Sequence, residues 1–430
     1  MLTLLLAAIF LPNLVPLVTM LSGIGTPVRT AAILAYAIPV LLVRLRHPYI
    51  AVAVFLAIVV YDLIQSISLL FSLSLFELPT ILPFLVELNL LASPLYAFLV
   101  FAIMTTTLAT VFVLLFRQNQ LKGNHLGLTL LLLVALAGFD LYFNASPHYL
   151  FGTAYAQGKP FQSAMIESGL EDRLQSNKVN VFVVMVEGLG RFVDDSQHAL
   201  IMSPLMGPAM AKNYEWRSGA ITYYGSTTHA GMRELCASRQ PYTALITDGI
   251  ILDCLPARLT KRGYTTRALH GFKQKMFDRD AWYPLVGFQR MTFLEQMQKG
   301  MTRSCGAVFK GACDVDIGAE AAQALLEPGG PRLIYWLTLN THIPIRPGDG
   351  SPRFGCQTPA NPFRHAEVCS MAELWTDVLE QVAKIALDPD LPPTAFLIVG
   401  DHAPPFWSRQ ARQLFRPGEV SWVSLWPRSP

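Results

Sequence analysis

Two parts with different physics are predicted. The first is an N-terminal bundle of five transmembrane helices. The second is a C-terminal α/β domain with a mostly parallel central sheet and helices on both faces. Three observations point there. Apolar residues concentrate before about residue 145. Most of the charge and all six cysteines lie beyond that point. Past residue 178, short β-branched apolar runs alternate with helical stretches, the pattern of buried parallel strands.

The chain has 430 residues, of which 52% are hydrophobic and 15% charged. Its mean hydropathy is +0.38, too apolar for an ordinary soluble enzyme. A net charge of +3 without a basic cluster argues against a nucleic-acid partner. The expected division is a transmembrane domain over 1–145, a juxtamembrane linker over 146–177 and a C-terminal α/β domain over 178–430.

The five spans are expected at Leu2–Leu21, Thr30–Val43, Tyr49–Leu69, Pro94–Phe116 and Leu126–Phe143. No Lys or Arg precedes the first, and no small-residue cleavage site follows, so it reads as an anchor. Arg44 and Arg46 lie between the second and third spans, and Arg117 and Lys122 between the fourth and fifth. Between the third and fourth there is no basic residue, only acids such as Glu77 and Glu87. Arg29 alone falls on that side. The positive-inside rule then puts the N-terminus in the cytoplasm and everything after about residue 144 outside. An even number of cysteines in that outer portion suits disulfides. Phe71–Asn89 is apolar but carries Pro79 and Pro83, which suggests an interfacial or re-entrant piece. Asp62 and Asp140 are read as lying near helix ends. A helix is expected around Phe161–Leu174 within the linker.

Beyond the linker, strands are expected at Val179–Val186, Thr265–Leu269, Arg332–Leu339 and Thr394–Val399, with a late, partly edge strand at Val420–Leu425. Helices are expected at Ala319–Leu326 and Met371–Ala386. The strand ends carry the chemistry. Glu187 follows the first, His270 the second, His342 the third, and the pair Asp401-His402 the fourth. In open α/β sheets, sites form outside the carboxyl ends of the strands.

The remaining signal is Gly225-Ser-Thr-Thr-His-Ala-Gly-Met-Arg-Glu-Leu-Cys236. Hydroxyl residues precede a helix-compatible run, so Thr227 or Thr228 should stand at or near a helix N-terminus. Unpaired N–H groups there favour an anion such as phosphate.

This combination resembles the alkaline phosphatase/sulfatase superfamily. More closely, it is similar to the membrane-anchored branch of phosphoethanolamine transferases, lipoteichoic acid synthases and phosphoglycerol transferases. The resemblance implies a catalytic domain of that fold outside the plasma (inner) membrane, on the periplasmic side. Thr-His-Ala-Gly-Met is similar to the family's Thr-x-Ala-Gly-Met, which implies Thr228 as nucleophile. One divalent metal, zinc or alternatively manganese, would be held by Glu187, Thr228, Asp401 and His402. The stretch from His270 to Asp280 resembles one that holds substrate phosphate, implying that role for Arg279 and, more loosely, for His270. His342 matches a substrate-side histidine. Disulfides Cys305–Cys313 and Cys356–Cys369 are implied in the same way, which leaves Cys236 and Cys254 for each other. One departure is Ala403-Pro-Pro-Phe406 after Asp401-His402, where phosphoethanolamine transferases continue Gly-Glu-Ser.

The implied activity is transfer of a phospholipid head group, phosphoethanolamine or phosphoglycerol, through a phosphothreonine. The acceptor would be an envelope glycolipid, such as lipopolysaccharide, or a glycan. The alternatives are a metal-dependent phosphodiesterase or sulfatase-type hydrolase, and an inactive envelope scaffold. A formylglycine sulfatase is disfavoured, because no Cys/Ser-x-Pro-x-Arg pattern surrounds Ser226.

Overall fold

The computed structural model describes residues 2–70, 82–122, 125–145 and 158–428. The chain forms two compact units. One comprises Met1–Thr80, Leu90–Gly158 and Trp407–Arg409; the other comprises Ile81–Asn89, Lys159–Phe406 and Gln410–Pro430.

Four helices of the first unit are long and apolar enough to cross a membrane: Leu2–Leu21, Pro48–Leu69, Pro94–Phe116 and Leu126–Asn144. The fifth expected span differs. Thr30–Ala35 and Ala37–Arg44 are separate short helices that break at Tyr36. Together they cover only Thr30–Arg44. At 1.5 Å per residue such a stretch reaches roughly 22 Å, short of a hydrocarbon core about 30 Å thick. Asp62 departs from its expectation as well. It lies within the helix Pro48–Leu70, not at its end, and forms a buried ion pair with Arg29. An ionised group among apolar helices persists only with such a partner.

The second unit is built on an eight-stranded sheet of β1 (Asn180–Val186), β2 (Gly190–Phe192), β3 (Tyr214–Thr222), β4 (Thr265–His270), β5 (Arg290–Thr292), β6 (Arg332–Leu337), β7 (Thr394–Gly400) and β8 (Phe415–Pro427). The order is β2-β8-β7-β1-β6-β4-β5, with β3 also on β8. Neighbours from β7 to β5 run parallel. Every residue of β1, β6 and β7 is buried, as continuous apolar runs require. The late strand is longer than expected and is not an edge. β8 pairs antiparallel with β2, β3 and β7. Strand β3 gave no apolar signal because most of its residues are exposed.

Alternation along β1 feeds two cores. Val181, Val183 and Met185 pack in one cluster with Ala230, Met232 and Leu235 of the helix Thr227–Cys236. Phe182 faces the other way, against Trp336 and Phe396. On that side Gly318 of the helix Asp314–Leu326 approaches Trp336 so closely that an added Cβ would stand 3.1 Å from its ring. Full burial of each such side chain stabilises by about 1.5–3 kcal/mol.

The expected disulfides are present: Cys236–Cys254, Cys305–Cys313 and Cys356–Cys369. The expected helix at Phe161–Leu174 is split into Ala164–Glu167 and Leu170–Ser176, separated by Gly169 at φ 67. This stretch is packed, with Ala164, Met165, Leu170 and Leu174 in the core. Of the expected interfacial piece, 71–81 lies outside the described residues. Leu82–Glu87 is a short 3-10 helix of the second unit, where Glu87 pairs with Lys273.

Candidate active site

The parallel register brings the site together. Val186 of β1 pairs with Gly400 of β7, Met185 with Leu337 of β6, and Leu337 with His270 of β4. The residues that follow these strands therefore emerge at one level of the sheet. Glu187, Thr338 and Asp401 stand there side by side. Gly400 must be glycine, because an added Cβ would lie 2.1 Å from the Leu189 carbonyl oxygen.

Each acid is aimed by its own hydrogen bonds. Asp401 Oδ1 accepts from the backbone N–H of Gly188 and of His402, both at 2.7 Å, which leaves Oδ2 facing the cluster. Gly188 reaches that position with φ +67, a conformation that favours glycine. The Glu187 N–H donates to Thr338 Oγ1 at 2.9 Å. Its carbonyl accepts from Thr341 Oγ1 at 2.7 Å and Trp375 Nε1 at 3.1 Å. His402 Nδ1 lies 3.0 Å from the Ala403 carbonyl, so Nδ1 carries the hydrogen and Nε2 presents its lone pair.

Ser226 is the N-cap of the helix Thr227–Cys236, and Thr227 is its first residue. The Thr227 hydroxyl stands 2.8 Å from Asp401 Oδ2, 3.3 Å from Glu187 Oε2 and 3.4 Å from His402 Nε2. Of the two threonines, the structure places Thr227 and not the expected Thr228 beside these donors. Thr228 Oγ1 lies 3.1 Å from Ser226 Oγ and does not join the cluster. Consecutive helix residues diverge by about 100°, so only one of the two threonines can face the strand ends.

His402 Nε2 lies 3.4 Å from both Glu187 Oε1 and Asp401 Oδ2. Donors around a tetrahedral ion bound at about 2.0–2.1 Å are themselves spaced about 3.3–3.4 Å apart. The set of two carboxylates, one imidazole and one hydroxyl thus fits a divalent cation in both spacing and chemistry. The electrostatics agree. Burial, reinforced by the adjacent Glu187 carboxylate, pushes Asp401 up to about 7. For His402, burial acts downward, but Asp401 and Glu187 outweigh it and raise the pKa. Carboxylates crowded in this way call for positive charge. A second group, Cys356, Cys369 and Glu373, offers no such set, because its two sulfurs are bonded to each other.

His342 is held next to Thr341, whose hydroxyl binds Glu187. Its Nδ1 lies 2.8 Å from the Ile343 carbonyl, so Nε2 is the free acceptor. Its ring lies 3.7 Å from that of Phe309, and burial lowers its pKa to about 4. His270 is buried at the end of β4 with Nδ1 3.0 Å from the Leu337 carbonyl. Burial, then the nearby Arg279, drives its pKa well below the usual value. It has no hydrogen bond to the donor cluster among the described residues.

Arg279 is only 4% exposed, yet no carboxylate lies within ion-pair distance of it among the described residues. Its Nη1 donates to the Met276 carbonyl at 3.1 Å, and its guanidinium lies 5.3 Å from the Phe277 ring. Phe277 and Asp278, immediately before it, both have left-handed backbone at φ 57 and 49. Two such residues in succession store strain of roughly 1–3 kcal/mol each. The Arg279 helix reaches the threonine helix where an added Cβ on Gly231 would lie 3.3 Å from Trp282.

Sequence reasoning passed over Arg233. It is buried, donates to the Asp401 and Gly400 carbonyls at 3.1 and 2.9 Å, and pairs with Glu234 at 2.6 Å. Glu234 in turn accepts from Ser163 Oγ and from the N–H groups of Ala164 and Met165. An arginine in a short helix carries no signal in the sequence that its target is a distant strand end.

The family model described as Sulfatase matches residues 180–421. No curated protein sequence matches the chain. Among solved structures, the lipoteichoic acid synthase LtaP from Listeria monocytogenes is similar at 14% identity and a TM-score of 0.43, covering 57% of this chain and 65% of that one. The chain therefore spans less than two thirds of that structure. Streptococcus pyogenes phosphoglycerol transferase GacH, in complex with sn-glycerol-1-phosphate, is similar at 12% identity and a TM-score of 0.42, covering 61% and 75%. The C-terminal periplasmic domain of EcEptC from Escherichia coli, in complex with Zn, is similar at 14% identity and a TM-score of 0.39, covering 59% and 74%.

Proposed function

The chain belongs to the sulfatase family, whose model matches more than half of it, and from that premise we propose that it is a membrane-anchored, metal-dependent phosphotransferase. It moves a phospholipid head group, phosphoethanolamine or phosphoglycerol, to a glycolipid or glycan acceptor through a phosphothreonine at Thr227. The observation that carries this reading is the Thr227 hydroxyl, within 2.8–3.4 Å of Asp401, Glu187 and His402 at a helix N-terminus.

Glu187, Asp401, His402 and Thr227 would hold a divalent ion, zinc or manganese. When bound, that ion supplies positive charge that lowers the hydroxyl pKa and neutralises the phosphate. The protein's own groups do the rest. Backbone N–H groups at the start of the threonine helix attract the phosphoryl oxygens. Arg279, buried and without a carboxylate, presents a planar donor fork to them. In the first displacement, Thr227 Oγ1 bonds to phosphorus and the bond from phosphorus to the diacylglycerol oxygen breaks. The threonine loses a proton and the departing oxygen gains one. In the second, an acceptor oxygen bonds to phosphorus and Thr227 regains its hydroxyl. His342 is neutral at its lowered pKa of about 4, with Nε2 as an acceptor, so it suits orienting the acceptor hydroxyl through a hydrogen bond and not donating a proton.

The test is peptide mass spectrometry of the full chain after incubation with mixed phospholipids. An added phosphoethanolamine or phosphoglycerol mass on Thr227 is expected. An adduct on Thr228, or none on either threonine while the bound metal is retained, would refute the mechanism.

A further inference from the structure

Residues 82–89 stand in the chain between two spanning helices, Pro48–Leu69 and Pro94–Phe116, yet they belong to the second unit. Leu82–Glu87 is a 3-10 helix, in which positions three apart, such as Phe84 and Glu87, share a face. Phe84, Glu87 and Leu88 are half-buried, whereas Leu85 and Val86 are 41% and 84% exposed. The inward residues meet two loops that carry parts of the candidate site. Glu87 pairs with Lys273, and Phe84 lies edge-on to Phe277 with ring centroids 5.6 Å apart. Both partners belong to the turn that leads into Arg279. The Asn89 N–H donates to the Val308 carbonyl at 3.1 Å. The residue after Val308 is Phe309, whose ring lies 3.7 Å from that of His342. Phe84 and Leu88 pack with Phe272, Met276 and Phe309 in one apolar cluster.

The turn before Arg279 needs such support. Phe277 and Asp278 are left-handed at φ 57 and 49, which L side chains keep only where their surroundings hold them. Within the turn, the Met276 N–H donates to the Lys273 carbonyl and the Asp278 N–H to the Lys275 carbonyl. The Phe277 ring meets the Phe84 ring and also the Arg279 guanidinium, 5.3 Å from its centroid. Arg279 has no carboxylate within ion-pair distance among the described residues, so the Met276 carbonyl and the Phe277 ring help to set its direction. A ring pinned by a neighbour's ring cannot swing freely, and the cation against it is steadied in turn. The Glu87–Lys273 pair is partly exposed and contributes little by itself, which leaves Phe84 as the main contact.

We propose that the 82–89 segment is a positioning clamp for the site, in which Phe84, through Phe277, fixes the guanidinium of Arg279. The proposal rests on the reading of Arg279 as the residue that holds the substrate phosphate. Phe84 is a positioning residue and touches no reacting atom.

The experiment uses the full chain in vesicles of phosphatidylethanolamine and phosphatidylglycerol with a trace of the fluorescent form of each. First-turnover release of fluorescent diacylglycerol is measured against the fraction of labelled lipid. Phe84→Ala should raise the half-saturating fraction about three- to tenfold, the size of one lost aromatic pair, and leave the limiting rate within about twofold. Phe84→Tyr keeps the ring and should restore the wild-type lipid dependence. In an Arg279→Ala background, Phe84→Ala should add nothing, since a residue that acts through another has no effect once that one is gone. A separate structural role would add its own factor there. Amide hydrogen exchange over residues 273–280 should quicken about three- to tenfold in Phe84→Ala and not in Phe84→Tyr. Phe84→Leu, with apolar bulk but no ring, carries the same test if Phe84→Ala does not fold. An unchanged lipid dependence in Phe84→Ala, additive losses in the double variant, or unchanged exchange in the turn would each overturn the clamp while Arg279→Ala remains impaired. No release by the wild-type chain, or an Arg279→Ala variant as active as wild type, would overturn the reading of the site and the clamp's role with it.

Discussion

Replacing Thr227 by Ala removes the one hydroxyl among the described residues that meets Asp401, Glu187 and His402 at once. If that oxygen is the nucleophile, no neighbouring group substitutes for it. The adjacent threonine hydroxyl, Thr228 Oγ1, is turned to Ser226. Loss of a nucleophile from a preorganised site lowers turnover by about 10⁴–10⁶-fold. The fold should tolerate the change, because one hydrogen bond contributes only about 1 kcal/mol. Thr228→Ala deletes only the 3.1 Å contact to Ser226 and should leave turnover within a few-fold. Thr227→Ser keeps the oxygen and should retain most activity. The assay is head-group transfer from a fluorescent phospholipid, with thermal melting and metal content measured on every variant. An inactive Thr228→Ala beside an active Thr227→Ala would refute the geometric assignment. Equal activity in both would refute the covalent mechanism.

Arg279→Ala should retain metal, since Arg279 makes no contact with the donor cluster, and should weaken use of lipid roughly 10–100-fold through one lost bidentate contact to phosphate; full activity would remove it from the site. His198 is buried with its pKa lowered to about 4, by burial first and then by Arg191. Its contribution to stability is complete above the unfolded value of about 6.5 and is lost as pH falls toward 4. His198→Leu should therefore flatten the decline of melting temperature between those values, and an unchanged slope would contradict this. A reporter fused after Pro430 should be active outside the cytoplasm and one near Gln120 inside it. An inactive outer reporter would mean that Thr30–Arg44, only partly long enough, does not cross.

The sheet and the membrane character were legible in the sequence for local reasons, whereas the disulfide pairs followed from the family resemblance. A strand buried on both faces must be apolar throughout, and Val181–Val186 is. A spanning helix must be apolar for its whole length, and Pro94–Phe116 is. Strand ends carrying Glu187, His270, His342 and Asp401-His402 pointed to a candidate site because several such ends coincide at the carboxyl edge of one parallel sheet. The tertiary structure alone decided three matters. Whether Thr227 or Thr228 faces the donors depends on where the helix begins relative to β1 and β7, a rotation of about 100° that composition does not encode. Whether β8 is an edge depends on β2 and β3 pairing with it, and β3 is mostly exposed, so no hydrophobic pattern marks it. Asp62 finds Arg29 and Tyr36, and Arg233 finds the Gly400 and Asp401 carbonyls, all far along the chain. A lone polar residue in a sequence shows that it needs a partner, and only the packed chain shows which one it found.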